Sequence, residues 1–357
     1  MTTLDDVLTL VRIDSVSTNE GRLASYVHQR LLTNDALEIE RVGDNVVART
    51  TGHHATRVVV AGHLDTVPGD ASAAVVVGDV LHGLGACDMK GSLAGMIDLA
   101  LDPTPRPVEV TWVFYAREEI ARAQSGLLEI GELRPDLLAA DVAVLAEPTG
   151  GRVEAGCQGT LRVRVTLRGV RAHTARPFTG RNAIHRMGDL LSYVAMYEPR
   201  EVEIDGVTYV EQLQAVSVEG GVAANVVPDS ATCVLNHRVA PDRTCDEAME
   251  WLRGYLGNLI DEGDDVVVAD WAPSARPELS NPHLARLVEL SGAPPRAKVG
   301  WTDVATFQDL GVPATNYGAG DPLLAHRADE FVTAHEVNTF VQILGEWLHS
   351  VPHAPVQ

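Results

Sequence analysis

Three short runs of this chain are apolar almost throughout, and each ends on residues that bind protons or metals. They are residues 57–62 (RVVVAG), 108–115 (VEVTWVFY) and 141–146 (DVAVLA). Brief, continuous β-branched and aromatic runs predict strands covered on both faces, the situation of a parallel sheet. His63 and Asp65 follow the first run, Glu118 and Glu119 the second, and Glu147 the third. Residues 91–101 and the region around 127–133 carry helical patterns between the strands. This alternation implies an α/β layer with a mostly parallel sheet. In such sheets ligands bind at the carboxyl ends of the strands, where all three clusters fall.

From about Gly159 the pattern changes. Residues 160–167 (TLRVRVTL) alternate apolar with charged residues, as a strand with one solvated face does. A helical pattern over 182–197 follows, then strands over 211–218 and 230–239, a helix over 246–259 and a short strand over 266–270. That order suggests a small sheet with two helices on one side. Near Pro273–Pro277 the α/β pattern returns. The expected organisation is a split α/β domain, residues 1–158 and 275–357, interrupted by a small α+β domain over 159–274. A chain of 357 residues is long for a single core, which suits this division.

Composition narrows the partners. Against 28 Lys and Arg stand 49 Asp and Glu, a formal charge of −21. Such an acid excess argues against nucleic acid or an anionic membrane surface as a partner. No stretch approaches the roughly 18–20 apolar residues of a membrane span. The N-terminus lacks a basic start followed by an apolar run, and the four cysteines are scattered without a CxxC pair. A reducing cytoplasm is the expected location. Only Lys90 and Lys298 are lysines, so the bases are overwhelmingly arginine. Residues 155–188 contain no acid and seven arginines, at 162, 164, 168, 171, 176, 181 and 186. This is the one basic stretch available to an anionic ligand.

Asp88 lies in the glycine-containing loop GLGACDMKG before a helical run, and His326 lies in AHRADE after a strand-like segment over 314–317. Any one of these residues alone reads as a surface charge, a core histidine or, for Asp88, a helix N-cap. Together they sit at one end of one predicted sheet. Five carboxylates and two histidines exceed what one zinc ion needs but match a two-metal hydrolase, which wants a bridging carboxylate and a free one as base. Zinc suits this donor mix, with cobalt or manganese as substitutes. Glu118 and Glu119 can divide the labour, one on metal and one facing substrate, and Asp65 can hold the His63 ring nitrogen turned away from the metal.

In their order, HLDT, GACDMKG, the Glu118-Glu119 pair, AEPT and AHRADE resemble the dizinc amidohydrolases that include aminoacylase, glutamate carboxypeptidase and acetylornithine deacetylase. EAGCQGTLRVRV, GVRAHTARP and GAGDPLLAH are most similar to the members that remove succinyl groups from diamino acids. The resemblance implies a dizinc exopeptidase-like catalytic domain interrupted by a ferredoxin-like lid and dimerisation domain. It implies that Asp88 bridges two zinc ions, with His63 and Glu147 on one and Glu119 and His326 on the other. Glu118 would be the general base and acid, and Asp65 would orient His63. His173 would be donated across a homodimer interface to the oxyanion, with Asn225 and Arg238 binding substrate.

The implied reaction is hydrolysis of N-succinyl-L,L-2,6-diaminopimelate, in lysine and peptidoglycan biosynthesis. Acetylornithine deacetylase or aminoacylase activity on another small anionic N-acyl amino acid is the alternative, and a non-catalytic metal-binding protein a remoter one. Two positions depart from the better-known desuccinylases. Cys157-Gln158 stand where those have arginines, and Pro322 stands where several have asparagine. Arg171, Arg176 and Arg181 are the candidate replacements for the acyl end, with Thr302 and Asp303 for the amino-acid end.

Overall fold

The computed structural model describes residues 2–52 and 54–350. They divide into two compact units, one of Met1–Gly156, Pro277–Ala297 and Thr302–Gln357, the other of Cys157–Arg276 and Lys298–Trp301.

The first unit is built on an eight-stranded sheet. Its order is Leu37–Val42, Asn45–Thr50, Glu109–Tyr115, Arg57–His63, Val142–Leu145, Ala314–Asn316, Glu154–Ala155 and Arg296–Ala297. The four central strands, from Glu109–Tyr115 to Ala314–Asn316, run parallel to one another. Alternate residues of these strands, among them Val58, Val60, Val110, Trp112, Val142 and Val144, pack into one core cluster. The cluster takes in residues of the helices Leu4–Val11, Gly21–Leu31, Gly91–Leu101, Pro282–Ser291 and Ala334–Ser350. The intervening residues Val59, Ala61, Val113, Ala143 and Leu145 are equally buried. Both faces of the sheet are therefore covered, which explains why the central strands read as unbroken apolar runs rather than alternating ones. The fold is the α/β arrangement that the sequence predicts, with a mostly parallel central sheet. The antiparallel hairpin of Leu37–Val42 with Asn45–Thr50 is an addition that the apolar pattern does not signal, because its outer strand is only partly buried.

The second unit has a four-stranded antiparallel sheet ordered Gln212–Gly220, Ser230–Val239, Gly159–Arg168 and Asp265–Ala272. One face carries Leu161, Val163, Val165 and Leu167 against the helices Ala183–Ala195 and Cys245–Leu256. Arg162, Arg164 and Arg168 point the other way and are exposed. Each helix begins with a side-chain cap, Asn182 on Ile184 and His185, and Thr244 in a capping box with Glu247.

The seven arginines of residues 155–188 are less available than their sequence suggests. Arg162 pairs with Asp270, Arg168 with Asp265, Arg171 with Asp229, Arg181 with Asp261, and Arg186 with Asp261 and Asp264. Among the described residues only Arg164 and Arg176 of the seven have no ion pair. The free basic stretch expected over 155–188 is thus largely offset by aspartates brought in from 229–270.

Glu211, also in this unit, is fully buried and accepts hydrogen bonds from Ala240 N–H at 3.0 Å and from Arg200 and Arg243 at 3.2 Å each. Burial raises the Glu211 carboxyl, but the hydrogen bonds and the nearby His237 and Arg243 outweigh it and leave the group below its usual range. A carboxyl depressed in the folded state contributes stability that is present above its unfolded value, near 4.5, and lost as pH falls through the folded value. Glu211→Gln is therefore expected to cost about 3–5 kcal/mol at pH 7, the effect of breaking a buried charged network. It should also weaken the loss of stability below about pH 4.5, read from urea denaturation as a function of pH. Equal stability of the two proteins at pH 7 would contradict this role.

Candidate metal centre

The four parallel strands deliver the site. Arg57–His63 ends on His63 itself, which lies opposite Tyr115 in the register. Two residues past Tyr115 the chain turns at Arg117, in a left-handed conformation with φ of 64°, and presents Glu118 and Glu119. Glu147 follows Val142–Leu145, and His326 follows Ala314–Asn316 after a loop. Asp88 comes from the loop before Gly91–Leu101. Its φ of −117° and ψ of 92° are not helical, and the N-cap position is taken by Lys90, which makes no side-chain cap. The N-cap role for Asp88 is therefore excluded, and its carboxylate is free to face the histidines.

Asp88 stands at the centre. Its Oδ1 lies 3.0 Å from His63 Nε2 and its Oδ2 lies 3.4 Å from His326 Nε2. His326 Nε2 is also 2.8 Å from Glu119 Oε1. Ligand atoms of His63, Asp88 and Glu119 all fall within 4.8 Å of one another. His63 Nδ1 donates to the Asp65 carbonyl oxygen at 3.0 Å, which fixes the ring and leaves Nε2 turned toward Asp88. Asp65 thus meets the His63 ring with its main-chain carbonyl at the closer distance, and its carboxylate Oδ1 lies 3.5 Å from the same Nδ1. That carboxylate also holds the neighbouring loop. Its two oxygens accept the N–H groups of Glu118 and Glu119, each at 3.0 Å, and Oδ2 also accepts from Ser17 Oγ at 2.7 Å.

The electrostatics show what the site lacks in its own residues. Burial pulls the His63 imidazole down, but Asp65, Asp88 and Glu147 outweigh it and hold the ring well above its ordinary value. Hydrogen bonds donated to Asp88 and Glu119 push His326 up to about 10. Burial raises Asp88, yet contact with His326 and His63 leaves it well below the carboxylate range. Glu118 is pushed well up by burial and by Glu147, with Glu119 and Asp303 adding to the effect against His63. Each direction reports the same demand: the carboxylates draw positive charge onto the two imidazoles. Divalent cations would meet that demand at the same atoms, and the nitrogen and oxygen donors suit zinc.

Several contributors carry no sequence signal of their own. Glu20 is buried, and its Oε1 accepts from Thr18 N–H and Arg117 N–H at 3.0 Å each, holding two residues of positive φ. Lys90 is buried, donates to the Ile13 carbonyl at 2.9 Å and is pulled down to about 8 by its burial. Both pairings span 77 to 97 residues of sequence, beyond the reach of any local pattern. Thr302 and Asp303 are buried too. Thr302 donates to Asn316 at 2.9 Å, and Asp303 accepts from Thr306 at 2.6 Å and from Ser125 at 3.3 Å.

The remaining candidates belong to the second unit. His173 is exposed on a short strand whose partner residue is Val226, and its Nδ1 accepts from Ala175 N–H at 3.0 Å. Asn225 lies beside it, its carbonyl accepting from Thr174 N–H at 3.1 Å. Arg238 donates to Thr160 Oγ1 at 2.5 Å from a half-buried position on Ser230–Val239. No helix among the described residues is long and apolar enough to cross a membrane.

Residues 59–350 match the model of peptidase family M20/M25/M40, and the chain belongs to that family. A Mycobacterium tuberculosis protein provisionally named a succinyl-diaminopimelate desuccinylase is 46% identical over 95% of this chain and 96% of its own length. The succinyl-diaminopimelate desuccinylase of Corynebacterium glutamicum is 42% identical over 95% of this chain and 94% of its own. Among solved structures, a Staphylococcus aureus tripeptidase superposes with a TM-score of 0.79 at 18% identity, covering 98% of this chain and 97% of its own. That likeness shows a shared fold.

Asp65→Ala would leave the Glu118 and Glu119 amides without acceptors. The expected loss is about 2–6 kcal/mol of unfolding free energy, at roughly 1–3 kcal/mol for each buried donor. Urea denaturation in the presence of a chelator measures it. Wild-type stability would show that the carboxylate does not hold the loop.

Proposed function

We propose that the chain is a dinuclear zinc amidohydrolase that cleaves N-succinyl-L,L-2,6-diaminopimelate to succinate and L,L-2,6-diaminopimelate, within lysine and peptidoglycan biosynthesis. One observation carries the dinuclear reading: Asp88 offers its two oxygens to two different imidazoles, His63 and His326. The substrate reading is supported by relatives of 42–46% identity over nearly the whole chain. Asp88 would be shared between the ions, His63 and Glu147 would complete one site, and Glu119 and His326 the other. Cobalt or manganese could substitute. Such ions supply Lewis acidity toward an amide carbonyl and make water acidic enough to lose a proton near neutral pH.

Glu118 takes that proton on its carboxylate as the water oxygen attacks the carbonyl carbon. It then delivers the proton to the amine nitrogen as the C–N bond breaks. The Asp65 clamp on the Glu118 and Glu119 amides keeps base and ligand in fixed relation. The chain acts as a homodimer, with His173 donated across the interface to the oxyanion. Asn225 and Arg238 hold substrate. Arg176, which has no ion pair among the described residues, is the first choice for a substrate carboxylate, with Arg171 and Arg181 released from exposed pairs that are worth only about 0–1 kcal/mol. Thr302 and Asp303, both buried, are the candidates for the amino-acid end of the substrate. The four cysteines are unbridged, which supports a cytoplasmic setting.

A hydrolysis panel on zinc-loaded protein, read by free-amine release, separates the readings. Succinyl-diaminopimelate should be the preferred substrate over N-acetylornithine, N-acetyl amino acids and dipeptides. Preference for an acetyl substrate would move the chain to the acetylornithine deacetylase or aminoacylase reading, and turnover of none would favour a metal-binding protein. Glu118→Ala should reduce turnover by about 10²–10⁴-fold, as the loss of an acid–base group does, with zinc content retained. Joint loss of zinc and turnover would make Glu118 a ligand and overturn its role as base.

A further inference from the structure

We propose that Glu330 is a positioning residue for the metal centre, holding the Asp88 loop in place by accepting two consecutive main-chain N–H groups on one carboxylate oxygen. The proposal rests on the dinuclear reading given above. Glu330 is 1% exposed, and its Oε1 accepts from Cys87 N–H at 2.8 Å and from Asp88 N–H at 3.0 Å.

The loop needs such an acceptor. Gly85 is left-handed at φ 78°, and Asp88 and Met89 are non-helical, and here the Cys87 and Asp88 amides find their acceptor in the Glu330 side chain rather than in a main-chain carbonyl. Buried main-chain N–H groups left unpaired are costly.

Glu330 is itself well anchored. Its carbonyl accepts from Gly83 N–H at 3.0 Å, its N–H donates to the Arg327 carbonyl at 3.3 Å, and the strand Phe331–Thr333 that follows pairs with Val80–His82. His326 lies four residues earlier in the same turn. One turn thus presents an imidazole to Asp88 Oδ2 and a carboxylate to the Asp88 amide, which sets the spacing between two metal-ligating side chains. An anchor of this kind acts on metal affinity in the way that the hydrogen-bond partners of metal ligands do.

The test compares wild type with Glu330→Gln and Glu330→Ala. Zn2+ affinity is read by competition with a chromophoric chelator, the Co2+ absorption spectrum reports ligand geometry, and far-UV circular dichroism of the metal-free proteins reports folding. Glu330→Ala should bind zinc about 10–100-fold more weakly and shift the Co2+ spectrum while keeping its circular dichroism. Glu330→Gln retains an oxygen acceptor and should keep wild-type affinity. Wild-type affinity in Glu330→Ala would overturn the proposal, and so would a glutamine variant as impaired as the alanine one. If the alanine protein does not fold, Glu330→Asp, one methylene shorter, takes its place with the same two outcomes. Substrate enters none of these readings. Failure of wild type to bind two ions would count against the dinuclear reading, whereas an unaffected Glu330 variant would count against this one alone.

Discussion

Like charges held side by side at the carboxyl ends of four parallel strands are the constraint on which the site depends. Two carboxylates 4 Å apart repel by about 1 kcal/mol in bulk water and about 4 kcal/mol near a protein surface. The protein offsets this in layers. Main-chain N–H groups come first, with Asp65 gripping Glu118 and Glu119, Glu20 gripping Thr18 and Arg117, and Glu330 gripping Cys87 and Asp88. The imidazoles of His63 and His326 come next, each drawn toward its charged form by the acids around it. In the proposed function divalent cations would be the last layer, held where Asp88 turns one oxygen to each histidine.

What the sequence made legible follows from how local each signal is. RVVVAG and VEVTWVFY read as buried strands because nearly every side chain in them is apolar, and they form neighbouring central strands. The residues after them read as a site because the parallel topology brings strand ends together. The AHRADE segment is visible as a motif, but only its histidine carries a local signal, since the role of Glu330 depends on a loop more than 240 residues earlier. Ser17 and Glu20 had no signal at all for the same reason. Asp65 was legible as a partner of His63 from the x spacing, but spacing cannot say whether main chain or carboxylate makes the contact. The structure sets the carbonyl closer to the His63 ring, and the carboxylate also holds the next loop.

The arginine-rich stretch teaches the opposite lesson. Seven arginines without an acid among 34 residues look like a cationic surface when read along the chain. Folding brings Asp229, Asp261, Asp264, Asp265 and Asp270 against five of them. Charge read in sequence order measures neighbours along the backbone, while a ligand meets neighbours in space. Arg176 keeps the significance that the whole stretch first had.

In the proposed function Asp88 is shared by two metal ions. Anomalous diffraction from crystals of the zinc-loaded protein, recorded at the zinc absorption edge, tests it most directly. Two peaks per chain, one contacted by each oxygen of Asp88, with His63 at the first and His326 at the second, are the predicted result. A single peak, or two peaks of which only one contacts Asp88, would contradict the account.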